Sequence, residues 1–226
     1  MAGATPEGPR HVNERLVILI RHGQSDFASD RMSPTPRGEQ WDPPLSQKGR
    51  EQAELLARRL RLLDPEPIAV YCSPLRRAVE TAAPFAGAVG LEVVYDDDLM
   101  EAHIGDWENK SFEDILASDD ELLHQVRTQR AIWSRAPGGE LETDFRRRVV
   151  GSMGRIVEKN PDGNVVVVCH GGVINAFCGE VLGLPQGMFF LPENTSVNSV
   201  EIEGDVRRIR FLNDINHLTD PHWFQS

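Results

Sequence analysis

Two histidines share an unusual setting. His22 follows the apolar run Leu16–Ile20 and Arg21, and His170 follows Val165–Cys169; each is succeeded at once by glycine, Gly23 in one case and Gly171-Gly172 in the other. If both runs are strands of one sheet, the two imidazoles end on the same rim. Arg77 follows Ser73-Pro74, at the end of a third apolar run, and with Arg21 it supplies two guanidiniums to that rim. A guanidinium fork matches phosphate oxygens two at a time. A neutral imidazole nitrogen can donate to the same oxygens or attack phosphorus. The set therefore points to phosphoryl chemistry. Glycines 23, 171 and 172 let backbone N–H groups approach an anion, and a helix opening after Gly171 adds its positive end. With that much positive charge in place, no metal is needed to neutralise the group.

The elements that must position these residues follow from periodicity. Leu16–Ile20, Ile68–Cys72 and Val165–Cys169 are short, continuous and rich in β-branched residues, as in strands buried on both faces of a parallel sheet. Residues 46–63 place Ala53, Leu56, Ala57, Leu60 and Leu63 on one helical face behind Ser46 as N-cap. Residues 74–90 predict a second helix, capped by Ser73 and kinked or divided by Pro84. The span 111–135 reads as two helices inserted beside the sheet, the first with a capping pattern at Ser111 and Asp114. Residues 144–160 and 171–183 predict two further helices, the latter closed by Gly183. Residues 197–213 alternate around Gly204-Asp205, a β-hairpin on the sheet's edge. The expected architecture is an α/β three-layer sandwich with a mostly parallel central sheet, a helical insertion and an antiparallel edge hairpin. Ligands of such sheets bind at the carboxyl ends of the strands, where Arg21, His22, Ser73 and His170 fall.

Composition narrows the partners. The chain has 226 residues and a formal net charge of −11, so its mean surface repels nucleic acid and anionic membrane, although a local cationic pocket is compatible with that charge. No segment approaches the roughly 18 apolar residues of a membrane span. Three cysteines, Cys72, Cys169 and Cys178, without paired spacing, predict reduced thiols in a cytoplasmic setting. A cysteine phosphatase loop is excluded, because counting onward from Cys72 and Cys169 reaches Ala78 and Asn175 where that loop needs arginine. Residues 1–14, rich in Gly and Pro, are expected to be a flexible tail, and 15–226 a single domain. Arg207, Arg208 and Arg210 oppose edge pairing of the hairpin with a second copy, yet a homodimer stays open.

The ordered motifs resemble the histidine phosphatase superfamily, in its phosphoglycerate mutase-like branch. They comprise Arg21-His22-Gly23-Gln24-Ser25, then Leu45-Ser46 with Gly49, Gln52 and Ala53, then Ser73 with Arg77, Ala78 and Thr81. Leu99 with Glu101, Gly105, Trp107 and Glu108 follows, and Pro137-Gly138-Gly139-Glu140, His170–Ile174 and Asn194 complete the order. The resemblance implies that His22 is the nucleophile that becomes phosphohistidine. It makes Arg21, Arg77, His170 and Gly171 the phosphate-binding residues and Glu101 the proton donor and later the base. It implies a metal-independent phosphomonoester hydrolase for small phosphorylated metabolites, with no cofactor. A cofactor-dependent phosphoglycerate mutase and a non-catalytic phospho-ligand or protein-binding module are the alternatives on the same fold.

The chain departs from that pattern in three places. Mutases of the family carry glutamate and then a tryptophan-asparagine pair where this chain has Gln24-Ser25-Asp26-Phe27-Ala28, and phosphatases often keep asparagine at the position of Ala28. Leu141 stands where serine often follows Gly-Gly-Glu. Residues 30–44 are longer than the compact loop expected. They read either as a lid whose Arg31 and Arg37 reach substrate or as a flexible polar loop. Asp96, Asp97, Asp98, Asp106 and Glu108 would repel added negative charge on Glu101 if they lie close to it; otherwise residues 96–108 read as a solvated acidic loop. His103, His124, His217 and His222 have no comparable setting and are expected at the surface.

Overall fold

The computed structural model describes residues 14–108, 110, 115, 136–185 and 188–219. The predicted insertion and the capping pattern at Ser111 lie almost wholly outside the described residues, as do the N-terminal tail, His124 and His222.

Six strands form the central sheet: β1 (Arg15–Arg21), β4 (Ala69–Cys72), β5 (Val93–Tyr95), β6 (Val165–Cys169), β7 (Val197–Glu203) and β8 (Val206–Asp214), in the order β5-β4-β6-β1-β7-β8. The first four are parallel, and β7 pairs antiparallel with both β1 and β8. The hairpin is therefore stitched into the sheet by β7, and only its second strand, β8, is an edge strand, opposite β5 at the other edge. Strand alternation divides the core. Val17 and Leu19 of β1 face the cluster built on α3 (Glu142–Lys159) and α4 (Gly171–Val181), where Phe145, Val149, Met153 and Phe177 are buried. Ile18 and Ile20 face α1 (Gln47–Leu60) and α2 (Arg76–Val89), through Leu56, Leu60, Ala82 and Phe85. Continuous apolar strands follow from helices covering both faces.

Ser46 caps α1 by accepting from Gly49 N–H at 3.1 Å, as its position predicts. One helix expectation changes at its start. The second helix begins at Arg76 behind Leu75, without a side-chain cap, and runs through Pro84 undivided. Ser73 stands two residues before the N-cap, and its hydroxyl both accepts from Leu75 N–H at 3.3 Å and meets His170 Nε2 at 2.7 Å. Gly183, at φ +68°, closes α4 in the left-handed conformation that glycine adopts at least cost.

The 30–44 segment is a second, two-stranded sheet rather than a loop. β2 (Met32–Thr35) and β3 (Gly38–Trp41) form a hairpin whose buried Gln40 donates to the carbonyls of Glu101 and Ala102 at 3.1 and 3.3 Å. Arg37 does not reach toward substrate. It pairs with Asp98 at 2.9 Å and Glu140 at 3.6 Å, pinning the hairpin to the segment that precedes Glu101.

Candidate active site

The parallel register of β1 and β6 sets Arg21 beside Cys169, so the two following histidines emerge side by side. Their ring centroids lie 5.1 Å apart with planes tilted by 58°. His22 Nδ1 is 2.7 Å from Gly23 O; since a carbonyl only accepts, Nδ1 carries the proton and Nε2 keeps its lone pair. Burial, then Arg77 and Arg21, push the His22 pKa well below its ordinary value, so the ring is neutral near pH 7. His170, fully buried at the N-terminus of α4, is held neutral in the same way by burial and then by Arg77 and His22. Its Nε2 meets Ser73 Oγ at 2.7 Å, which orients the ring.

Arg21 and Arg77 complete the cup. Arg77 is buried and anchored by one Nη1 bond to Trp41 O at 3.1 Å, and Arg21 by Nη1 to Pro192 O at 2.5 Å. Burial lowers both guanidinium pKa values, with Glu101 opposing that shift, and both still remain cationic. Among the described residues, Arg21 Nε and His170 Nδ1 are buried without a hydrogen-bond partner. Two unsatisfied groups in one cationic cup cost free energy unless an anion completes them.

Glu101 stands across the cleft with its carboxylate seated by two backbone donors, Ala102 N–H and Gly172 N–H, each at 3.0 Å. The acidic neighbours in sequence lie mostly elsewhere. Asp98 is paired with Arg37 and Arg155, Asp96 accepts from Ser152, and only Glu108 shares the cleft, held by Trp41 N–H and Ile104 N–H. Behind Glu101, Arg148 donates to the Glu101 carbonyl at 3.2 Å and pairs with Glu140 at 2.7 Å. Glu140 of the Pro-Gly-Gly-Glu motif thus supports the segment instead of meeting substrate.

The glycines act differently from one another. Gly23 N–H donates to Thr81 Oγ1 at 2.9 Å, and a side chain there would strike Gly49 O at 2.7 Å, so its smallness lets the turn pack on α1. Gly172 N–H serves Glu101. Gly171 opens α4, where first-turn N–H groups lack helical partners, near Arg21 Nε.

Two lobes meet at Arg21, His22 and Glu101. One, of about 210 Å³, is walled by Ile104, Met188, Leu191 and Pro192; the other, of about 220 Å³, by Phe27, Gln40, Trp41 and Arg77. Phe27 stacks on Trp41 with centroids 5.7 Å apart and is largely exposed. The Trp41-Asp42-Pro43-Pro44 turn therefore borders the cleft as well as leading into α1, and Asp42 accepts from Arg76 N–H.

Several supporting residues escaped the sequence reading. Ser73 was visible at the rim but only as a helix cap, and Asn194, visible in a motif, proves to donate to His22 O at 3.0 Å. His217 was expected at the surface and is instead buried against Arg59 and Thr195, because the last helix folds back onto α1. His103 is half-buried and bonded to Glu39 O. The three thiols are free and buried, which raises their pKa values, that of Cys178 up to about 12. No helix among the described residues is long and apolar enough to cross a membrane.

Residues 17–215 match the model of the histidine phosphatase superfamily, branch 1. The chain is 31% identical over 212 residues to phosphoglycerate mutase-like protein 4 of Arabidopsis thaliana, covering 93% of this chain and 90% of that protein. It is 34% identical over 184 residues to glucosyl-3-phosphoglycerate phosphatase of Mycolicibacterium vanbaalenii, covering 76% of each. The solved structure of a mycobacterial glucosyl-3-phosphoglycerate phosphatase superposes with a TM-score of 0.73 at 29% identity, over 90% of this chain and 100% of that one. The chain belongs to the histidine phosphatase superfamily, branch 1, and is a phosphatase.

Proposed function

We propose that this phosphatase is a metal-independent phosphomonoester hydrolase that works through a phosphohistidine on His22, with small phosphorylated metabolites as substrates. The observation that carries the reading is the pair of unpartnered buried groups, Arg21 Nε and His170 Nδ1, beside a neutral His22 whose free Nε2 is set by the bond from Nδ1 to Gly23 O. A phosphoryl group in the cup gives both groups an acceptor while offering phosphorus to Nε2.

In the first step the Nε2 lone pair forms a P–N bond as the ester P–O bond breaks, and Glu101 in its acid form gives its proton to the departing oxygen. The imidazole gains positive charge, which the Nδ1–H bond to Gly23 O stabilises. Arg21, Arg77, His170 and the first turn of α4 meet the charge on the phosphoryl oxygens. In the second step the Glu101 carboxylate takes a proton from water, the hydroxyl oxygen joins phosphorus, the P–N bond breaks and the ring returns to its starting form. Water enters on the side from which the alcohol has left.

Charge favours hydrolase over mutase. A mutase must also hold a second anionic group of its sugar acid. Among the described residues, the cations lining the cleft are Arg21 and Arg77, both taken by the transferred group, whereas Arg37 and Arg148 are paired with carboxylates. Glu108 on the second lobe repels a further anion. Substrate is bound as a small phosphorylated molecule, without nucleic acid or membrane.

Phosphate release from a panel of small monoesters, measured with excess chelator for the wild type and His22→Ala, tests the reading. Wild-type turnover and a variant at least about a thousandfold slower are expected. Absence of turnover on the whole panel favours the binding module. Conversion of 3-phosphoglycerate only with a bisphosphoglycerate primer favours the mutase.

A further inference from the structure

We infer that His217 is a positioning residue for the nucleophile, acting on the backbone of Arg21 and His22 through Thr195. The inference rests on the hydrolase reading and extends it to α5 (Asn216–Thr219), at the far end of the chain.

The hydrogen bonds run in one direction. Arg59 on α1 has donors only, so its Nη1 gives a proton to His217 Nδ1 at 3.2 Å. The imidazole proton then sits on Nε2, which donates to Thr195 Oγ1 at 3.2 Å. That hydroxyl, its lone pair engaged, donates to Asn194 O at 2.7 Å. Asn194 Nδ2 in turn donates to His22 O at 3.0 Å, and Thr195 N–H to Arg21 O at 3.0 Å. Every link is fixed by the donors and acceptors available, so the tautomer of His217 is not free to change without breaking the series.

A second observation shows that the turn needs this support. Thr195 is fully buried at φ +57°, in the left-handed region that a β-branched residue rarely enters. Such a conformation persists only where surrounding contacts determine it, and it is this conformation that aims Thr195 N–H at the end of β1. The groups facing His217 are Arg59 from α1 and Asp214 from β8. Burial and Arg59 push its pKa down to about 4 while Asp214 opposes them, so the neutral ring persists across the working range.

The test compares His217→Leu, which removes both bonds, with His217→Gln, whose amide can accept from Arg59 and donate to Thr195. Thr195→Val and Thr195→Ser repeat the contrast at the hydroxyl. Leu60→Ala, a buried change on α1 outside the series, serves as a control for stability alone. Turnover is measured at a temperature where circular dichroism shows each variant folded. His217→Leu and Thr195→Val are expected to lose about ten- to hundredfold in kcat with KM within about twofold. His217→Gln and Thr195→Ser should stay within about threefold of wild type, and Leu60→Ala should lower Tm without that loss. Unchanged kcat in His217→Leu and Thr195→Val, or an equal loss in Leu60→Ala at matched Tm, overturns the inference. Failure of the wild type to hydrolyse monoesters would instead strike the hydrolase reading.

Discussion

Replacing Gly172 by alanine should uncouple leaving-group protonation from the rest of the site. A Cβ at that position falls 2.3 Å from Glu101 Oε1 and 3.1 Å from both Glu101 Cδ and Phe145 Cζ. Phe145 is buried in the core, so the carboxylate is the part that yields, by about 1 Å. That movement breaks its seat on Ala102 N–H and Gly172 N–H. One such bond to a charged group is worth about 1.5–3 kcal/mol, equivalent to about ten- to hundredfold in rate. The assay is kcat/KM, which reports the steps through departure of the alcohol, on an alkyl monophosphate and on p-nitrophenyl phosphate. The alkoxide needs the proton and nitrophenolate does not. Gly172→Ala should therefore lose about hundredfold on the alkyl ester and about tenfold or less on the nitrophenyl ester. Equal losses on both, or no loss on either, would refute the placement of Glu101 as the acid.

Other perturbations test the supporting framework. His22 and His170 are held neutral in the fold, so below about pH 6.5 the unfolded chain binds protons that the folded chain refuses, and stability falls with pH until the folded pKa values are reached. Urea denaturation should show stability falling as pH drops from about 7.5 to about 5, with the fall partly removed in His22→Ala; a flat profile counts against the buried neutral rings. Arg148→Met removes the nearer partner of Glu140 and leaves it only Arg37 at 3.6 Å, so it should lower unfolding free energy by about 1–3 kcal/mol, with no measurable loss contradicting the pairing. Arg37→Ala should change KM for a small monoester by less than about twofold while reducing Tm, since its partners are Asp98 and Glu140; a large rise in KM would return it to the substrate.

The sheet and the histidine pair were legible because they depend on patterns local in sequence. Apolar runs ending in His-Gly place His22 and His170 on one rim whatever the rest of the chain does, and the parallel register of Arg21 with Cys169 delivers both. What was not legible depends on partners distant along the chain. Arg37 looked like a substrate contact because sequence shows its charge and not Asp98 and Glu140, which neutralise it. His217 looked exposed because nothing in residues 216–219 reveals that Arg59, on the first helix, waits to receive it. Gly172 looked like a phosphate-binding glycine, although the group it admits is Glu101. Ser73 followed a helix-capping pattern, yet a buried imidazole 97 positions away claims its hydroxyl.

The most direct test of the account is to trap the intermediate. Rapid acid-free quenching of the enzyme with labelled monoester, in the presence of chelator, should reveal a base-stable, acid-labile phosphoryl group on His22 that forms before phosphate is released and is missing from His22→Ala. A label on any other residue, or full turnover with no label on His22, would contradict it.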